Sequence, residues 1–386
     1  MPTKQLPPKP NLEHLKHQAK DLLAAHAARD PATLQRIREF HPRFREADDA
    51  AIGAAAFQLS DAQLAIAREY GFASWPRLKA HIEHPTLADR LDLPPHERIE
   101  DPAFRRAVEL LDAGDAEGLR AHLAAHPGLA RQRVLLEGGN YFRNPSLLEF
   151  VAENPVRHDR LPPNIVAVAK VILDAGADGD PASMTGALEL VASGRVAREH
   201  QAQVPLIDLL CEHGADPDGA MVAALAHQEW EAVHALLRHG ATVDLPVAAA
   251  LGRFEEARRL LPTASPPQRH LALAMAALFG HVDVLRLLLD EGEDPTRFNP
   301  LGFHSHGTPL HHAAWAGHLE AVRLLVERGA RLDLRDTVYQ NTPLRWAVHG
   351  ERQEVAAFLK ERMAPAAADA AGDVLAQGRN RVEGPP

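Results

Sequence analysis

A group of histidines in the C-terminal third of the chain has the residue types that bind a transition metal. His304 and His306 are separated by one residue, a spacing typical of two side chains on the same face of a strand, and His311 and His312 follow closely. Three neutral imidazoles together with Asp336 could hold zinc and leave one position open for catalysis. Because no spacing here matches an established metal motif, we assign no metal ligand.

Other residue types that could carry chemistry have simpler structural explanations. Cys211 falls on the apolar stripe of a predicted helix, which indicates a buried packing thiol rather than a nucleophile. Acidic pairs such as Glu255 and Glu256 fit exposed helix faces. The sequence contains no glycine loop of the phosphate-binding type, no paired-cysteine motif and no nucleophile elbow. We therefore assign no catalytic residue, expect no cofactor, and favour a non-enzymatic function.

Composition and charge restrict the classes of partner. The chain has 386 residues and a net charge of −10 with neutral histidines, so neutralisation of nucleic-acid phosphates or binding to an anionic membrane is unfavourable. A single cysteine excludes an intrachain disulfide, as expected in a reducing compartment. The segment Met1–Pro8 lacks the apolar core of a signal peptide. We expect a cytoplasmic protein with neither a nucleic-acid nor a membrane partner.

The elements that position the histidines are repeated along the chain. The sequence Thr-Pro-Leu-His-His-Ala at 308–313 returns after 34 residues (342 − 308) as Thr-Pro-Leu-Arg-Trp-Ala at 342–347. Thr308 can cap a helix, and Pro309 suits the first helical turn because its missing N–H costs nothing there. Gly317 and Gly329 can end the first and second helices of this unit. The fixed period predicts a stack of helix pairs.

Similar helix ends recur upstream of this unit. Glycines that could end the second helix of a pair stand at Gly176, Gly214, Gly240, Gly292 and Gly329. The longest interval between them, Gly240 to Gly292, accommodates a degenerate repeat around 251–261. A single helix pair cannot bury its own apolar stripe, so the hydrophobic core must be continuous from one repeat to the next.

The Thr-Pro-Leu-His start and the Gly-His turn at Gly317 and His318 resemble the ankyrin repeat. The resemblance implies an all-α, ankyrin-like helical solenoid with short β-turn fingers and about six or seven repeats. It also implies a structural role for His311, whose ring normally hydrogen-bonds finger backbone at this position of the family.

Four regions are predicted. Residues 1–84 form a small N-terminal helical domain, 85–100 a linker rich in proline, 101–363 the solenoid, and 364–386 a flexible tail. The segment 67–75 resembles an N-terminal helical unit found in bacterial ankyrin-repeat proteins.

In the ankyrin family, partners contact the finger tips and the end of the first helix of each repeat. Carried over to this sequence, those positions predict a binding surface made of Phe279, His304, His306, Trp315, Tyr339, Asn341 and His349. Aromatic anchors beside polar groups are typical of a binding hot spot. We therefore predict a protein or peptide partner on the concave face of the C-terminal repeats. Trp315 and Phe279 could instead fill space between repeats.

Two alternatives remain open at this point. A small-molecule or metal-dependent enzyme site could lie under the unusually long finger at 295–307, or the N-terminal unit could carry the activity while the repeats dock it. The sequence indicates neither the identity of a partner nor an oligomeric state.

Overall fold

The fold is built from helices, as the sequence predicts. A computed structural model describes residues 4, 6–7, 10–83, 93–136 and 141–363. It is 64% helical without a sheet, and within those residues the β-type pairing is one isolated bridge between Arg133 and Ser146. Half of the predicted linker, residues 85–92, and the whole predicted tail lie outside the described residues. None of the described helices combines the length and apolar character needed to cross a bilayer.

The described part of the N-terminal unit contains five α-helices. They are α1 (Leu12–Ala27), α2 (Pro31–Phe40), α3 (Asp49–Ala54), α4 (Leu59–Glu69) and α5 (Trp75–Glu83). Local signals explain where they begin: the Asn11 side chain accepts a hydrogen bond from the Glu13 amide, and Asp30 caps α2 at the Thr33 amide. Apolar side chains of α1, α4 and α5 enclose a small core of their own.

Between Pro102 and Met363 the described residues form eight successive helix pairs, against the six or seven expected. The pairs are α6 (Pro102–Asp112) with α7 (Ala116–Ala125), the 3-10 helix Leu147–Ala152 with α8 (Ile165–Asp174), α9 (Pro181–Ala192) with α11 (Gln203–Glu212) after the short α10 (Arg195–Glu199), α12 (Asp218–Ala226) with α13 (Trp230–Arg238), α14 (Leu245–Ala250) with α15 (Phe254–Leu260), α16 (Pro266–Phe279) with α17 (Val282–Asp290), α18 (Pro309–Ala316) with α19 (Leu319–Glu327), and α20 (Pro343–His349) with α21 (Gln353–Met363).

The apolar core runs through the stack rather than closing within one pair. One cluster of buried side chains extends from Ile99 to Phe303, and a second extends from Leu245 to Leu359. Leu310 in α18 and Leu325 in α19 are fully buried because neighbouring pairs cover them. This arrangement is the one that a helical solenoid requires, and it confirms the predicted fold class.

Side chains at the mid-repeat turns tie successive repeats together. Each donates a hydrogen bond to a carbonyl of the preceding repeat: His281 to Ala250 (2.9 Å), His318 to Leu278 (3.0 Å) and Arg352 to Trp315 (3.0 Å). The last turn departs from the glycine pattern. Glu351 adopts the left-handed conformation, with φ of 58°, that Gly317 adopts with φ of 88° in the previous repeat.

The long finger, residues 295–307, is a series of turns. We expected His304 and His306 to alternate as in a strand, and this expectation is wrong. His304 has a left-handed φ of 45°, and the Gly307 amide donates to its carbonyl at 3.1 Å, closing a turn. The two rings share one region because the chain turns there.

The N-terminal unit contacts the long finger directly. Gln35 on α2 is 1% exposed, and its side-chain amide donates to the Ser305 carbonyl at 3.0 Å. A second contact lies far away along the solenoid, where the Arg143 guanidinium donates to the Arg68 carbonyl at 2.9 Å. The finger is therefore held between the N-terminal unit and the repeats.

Replacing Gln35 with alanine should loosen the long finger, because the Ser305 carbonyl loses a buried donor. We expect the free energy of unfolding to fall by about 1–3 kcal/mol, and hydrogen exchange to accelerate at the Asn299 amide, which is bonded to Gly307. Gln18→Ala is the control, since it removes a contact with Tyr70 inside the N-terminal unit. Equal exchange of the finger amides in the two variants would contradict this coupling.

Candidate functional site

A pocket of about 590 Å³ lies where the long finger meets α18, α20 and the end of α12. It is lined by Ala226, His227, Gln228, Leu278, His304, His306, His312, Trp315, Tyr339, Asn341, Arg345, Trp346 and His349. Six of the seven residues predicted for the binding surface therefore surround one cavity. Phe279 does not line it and instead packs against Trp230, with ring centroids 5.2 Å apart.

Asp336 organises the last finger and forms part of the wall behind the pocket. Its carboxylate is fully buried and accepts hydrogen bonds from the backbone amides of Val338 and Tyr339. It also accepts from the Asn341 amide at 2.9 Å and from the Trp346 indole N–H at 3.0 Å. These four hydrogen bonds engage the carboxylate fully, so Asp336 is not free to complete the metal set considered from the sequence.

Trp346 is the central aromatic residue of the pocket. Its ring centroid lies 5.1 Å from that of His312, 5.5 Å from that of His306 and 6.2 Å from that of Trp315. The bond to Asp336 fixes its orientation. Sequence reasoning missed Trp346, although the repeat contains the signal: the two copies align Trp346 with His312, and both residues line the pocket.

His311 is a structural residue, as its position in the repeat implies. Its Nδ1 accepts a hydrogen bond from the Thr308 amide at 3.1 Å, and its Nε2 lies 3.2 Å from the Asn341 carbonyl, to which it donates. The imidazole thus caps α18 and joins it to the next finger. Both ring nitrogens are in use.

The other three histidines of this group form the polar part of the pocket. The ring centroids of His304 and His312 are 4.8 Å apart, and each lies 6.1 Å from that of His306. His304 donates from Nε2 to the Ala226 carbonyl at 2.9 Å. His312 is 4% exposed, and its Nε2 has no hydrogen-bond partner among the described residues.

Burial keeps these imidazoles uncharged at neutral pH. It lowers the pKa of His304, lowers that of His306 to about 4, and lowers that of His312 well below its ordinary value. Among the described lining residues, Arg345 carries the permanent charge. The pocket therefore presents aromatic surface and uncharged polar groups, with one cation.

A second group with metal-ligand atoms is occupied by a cation of the chain itself. Atoms of Asp112, Glu153 and His158 lie within 4.8 Å of one another. The Arg157 guanidinium, 2% exposed, sits 2.8 Å from the Asp112 carboxylate and 2.9 Å from that of Glu153. This buried arginine pairs with both carboxylates, so the group is best understood as structural.

Cys211 lacks the setting of a nucleophile. It is half-buried against apolar neighbours in the solenoid core. Burial raises the pKa of its thiol to about 11, with smaller contributions from Asp208 and Asp216. The thiol is protonated at neutral pH, which agrees with the packing role predicted for it.

Comparison with known proteins identifies the repeats. A family model described as ankyrin repeats (3 copies) matches residues 273–369. Over 125 residues the chain is 32% identical to Cyclin-dependent kinase 4 inhibitor B of Bos taurus, covering 31% of this chain and 92% of that protein. The chain belongs to the ankyrin-repeat family.

Further relatives of this ankyrin-repeat chain differ in how much of this chain, and of their own length, the similarity covers. Cyclin-dependent kinase inhibitor 2A of Homo sapiens is 32% identical over 120 residues, which are 30% of this chain and 74% of that protein. Palmitoyltransferase ZDHHC13 of Homo sapiens is 27% identical over 303 residues, which are 75% of this chain and 43% of that protein. The ankyrin repeats and the inhibitor relatives point to protein–protein interaction.

Proposed function

We propose that the chain binds a segment of another protein in the pocket, on the concave face of its C-terminal repeats. The observation that supports this most is the exposure of aromatic surface at the pocket: Trp315 is 43% exposed and Tyr339 is 70% exposed. Side chains of this kind supply large contact area at low entropic cost and are enriched in binding hot spots.

The lining indicates the chemistry of the segment. Because Trp315 and Trp346 present apolar ring surface, a large apolar or aromatic side chain of the partner would bury well there. Arg345 adds a cation, which favours a neighbouring acidic residue on the partner. Relatives whose names describe inhibitors of cyclin-dependent kinases support a protein partner over a small metabolite.

The bonds to Asp336 and Ala226 hold the pocket in place before binding, so little conformational entropy is lost when a partner binds. The same proposal assigns roles to the rest of the chain. Residues 1–84 are a supporting unit related to those of bacterial ankyrin-repeat proteins, and residues 101–363 form the solenoid. We propose that the protein acts in the cytoplasm. The phenol and amide groups of Tyr339 and Asn341 would contact the partner's polar groups.

Trp315→Ala should weaken partner binding at least tenfold, because truncation of a central aromatic anchor costs about 2 kcal/mol or more. The change should leave the melting temperature nearly unaltered, since the ring is half exposed. The test is affinity purification with the intact chain, followed by calorimetric titration of the partner that is recovered.

Phe254→Ala is the matched control. Phe254 is also a partly exposed aromatic residue, at 36%, but it does not line the pocket. Its removal should leave affinity unchanged. Unchanged affinity with a large loss of melting temperature in Trp315→Ala would assign Trp315 to repeat packing instead.

A further inference from the structure

We propose that His304, His306 and His312 bind one transition-metal ion, with zinc as the expected ion, in the polar part of the pocket. The metal site shares this pocket with the proposed partner segment, although different observations support the two. It rests on three imidazoles brought together by a turn and a helix start, and on a buried ring nitrogen that lacks a partner.

The first observation that supports a metal site is the unpartnered ring nitrogen of His312. His312 is only 4% exposed, yet its Nε2 has no hydrogen-bond partner in the part of the chain that the structure describes. An unsatisfied buried polar atom is costly and rare in folded proteins. Because His312 lines the pocket beside His304 and His306, a bound ion would satisfy this nitrogen.

The orientation of the His304 ring also favours metal binding. Its Nε2 donates to the Ala226 carbonyl at 2.9 Å, so Nε2 carries the proton and Nδ1 carries the lone pair. A histidine that ligates a metal usually donates its other ring N–H to a carbonyl or carboxylate, which fixes the tautomer. His304 has this arrangement before any ion binds.

The distances between the three imidazole rings are close to those that a shared ion requires. An ion about 2.1 Å from one nitrogen of each ring would hold the ring centroids roughly 5–5.5 Å apart if its coordination is tetrahedral. The observed separations are 4.8, 6.1 and 6.1 Å. The ring nitrogens do not all lie within 4.8 Å of one another, so binding requires one ring to rotate about its side-chain bonds.

The donor set selects the ion. Imidazole nitrogens suit zinc, copper and nickel, whereas magnesium and calcium prefer oxygen ligands. Asp336 does not contribute, because its oxygens already accept four hydrogen bonds. Three protein ligands leave a fourth position for water or for a donor atom from a bound molecule.

Metal binding by the intact chain tests the proposal. The protein is treated with chelator, dialysed against Zn²⁺ or Co²⁺, and analysed for bound metal and for Co²⁺ visible absorption. We expect one ion per chain at the pocket, and its loss in His312→Gln and in the double variant His304→Gln/His306→Gln. Far-ultraviolet circular dichroism of each variant establishes that it is folded, and the two variants provide independent readings.

Two controls separate this site from other histidines and from partner binding. His122 and His126 have ring centroids 4.3 Å apart outside the pocket, so His122→Gln/His126→Gln should keep the ion. Trp315→Ala should also keep it while losing the partner. Absence of stoichiometric metal, or retention of the ion and its spectrum in folded His312→Gln, would overturn the proposal without affecting the protein-binding function.

Discussion

Asp336→Ala should lower the free energy of unfolding by about 4 kcal/mol or more, because it removes the acceptor of three backbone amides and of the Trp346 indole N–H. Each buried donor left without a partner costs about 1–3 kcal/mol. The Asp336 carboxylate is fully buried, so water cannot replace it without opening the finger. Chemical denaturation monitored by circular dichroism measures this loss.

The same substitution should damage the pocket, since Trp346 loses the bond that orients it. Asp333→Ala is the matched control in the same finger. Asp333 is exposed and pairs with Arg331, an arrangement worth at most about 1 kcal/mol. Similar losses in the two variants would mean that the Asp336 bonds do not organise the finger.

Acid should destabilise the protein between about pH 6.5 and pH 4, because buried histidines must remain neutral in the folded state. Burial lowers the pKa of His270 and of His311 from 6.5 to about 4 in each case. Between these values the unfolded chain binds protons that the folded chain does not, so stability falls with falling pH. From pH 7.5 to pH 5.0 each histidine should cost about 2 kcal/mol.

His270→Gln isolates one of these contributions. The His270 ring donates to the Phe298 carbonyl at 2.7 Å, and a glutamine amide can donate there without titrating. Arg297 and Arg38 oppose protonation of His270, while Asp294 favours it. The variant should lose less stability than wild type between pH 7.5 and 5.0, whereas His14→Gln on the exposed face of α1 should follow wild type. Identical slopes for all three would refute the assignment.

The repeats could be predicted because their signals are local. Thr308 and Pro309 start a helix, and Gly317 ends it in the left-handed conformation, within ten residues of chain. These signals depend on backbone geometry that the residue type itself imposes. The same signals placed Trp315, Tyr339 and Asn341 near one another, since repeats of nearly equal length bring equivalent positions to one surface.

The interior of the pocket could not be predicted in the same way. The strand expected at His304 failed because its conformation is set by distant partners, including the Ala226 carbonyl 78 residues earlier. Gln35 reaches Ser305 across 270 residues, and no local pattern encodes that contact. The role of Asp336 could not be predicted because a carboxylate that could ligate a metal and one that caps a turn have the same sequence signature.

The ties between successive repeats imply an order of mechanical failure. Under a pulling force applied at α21, rupture of the Arg352 contact with the Trp315 carbonyl should come first, and the His318 and His281 contacts should follow one after another. Force–extension traces would then show several successive rupture events instead of one. A partner bound against α20 would stabilise the last repeat, which ruptures first. Binding should therefore raise the force at which unfolding begins.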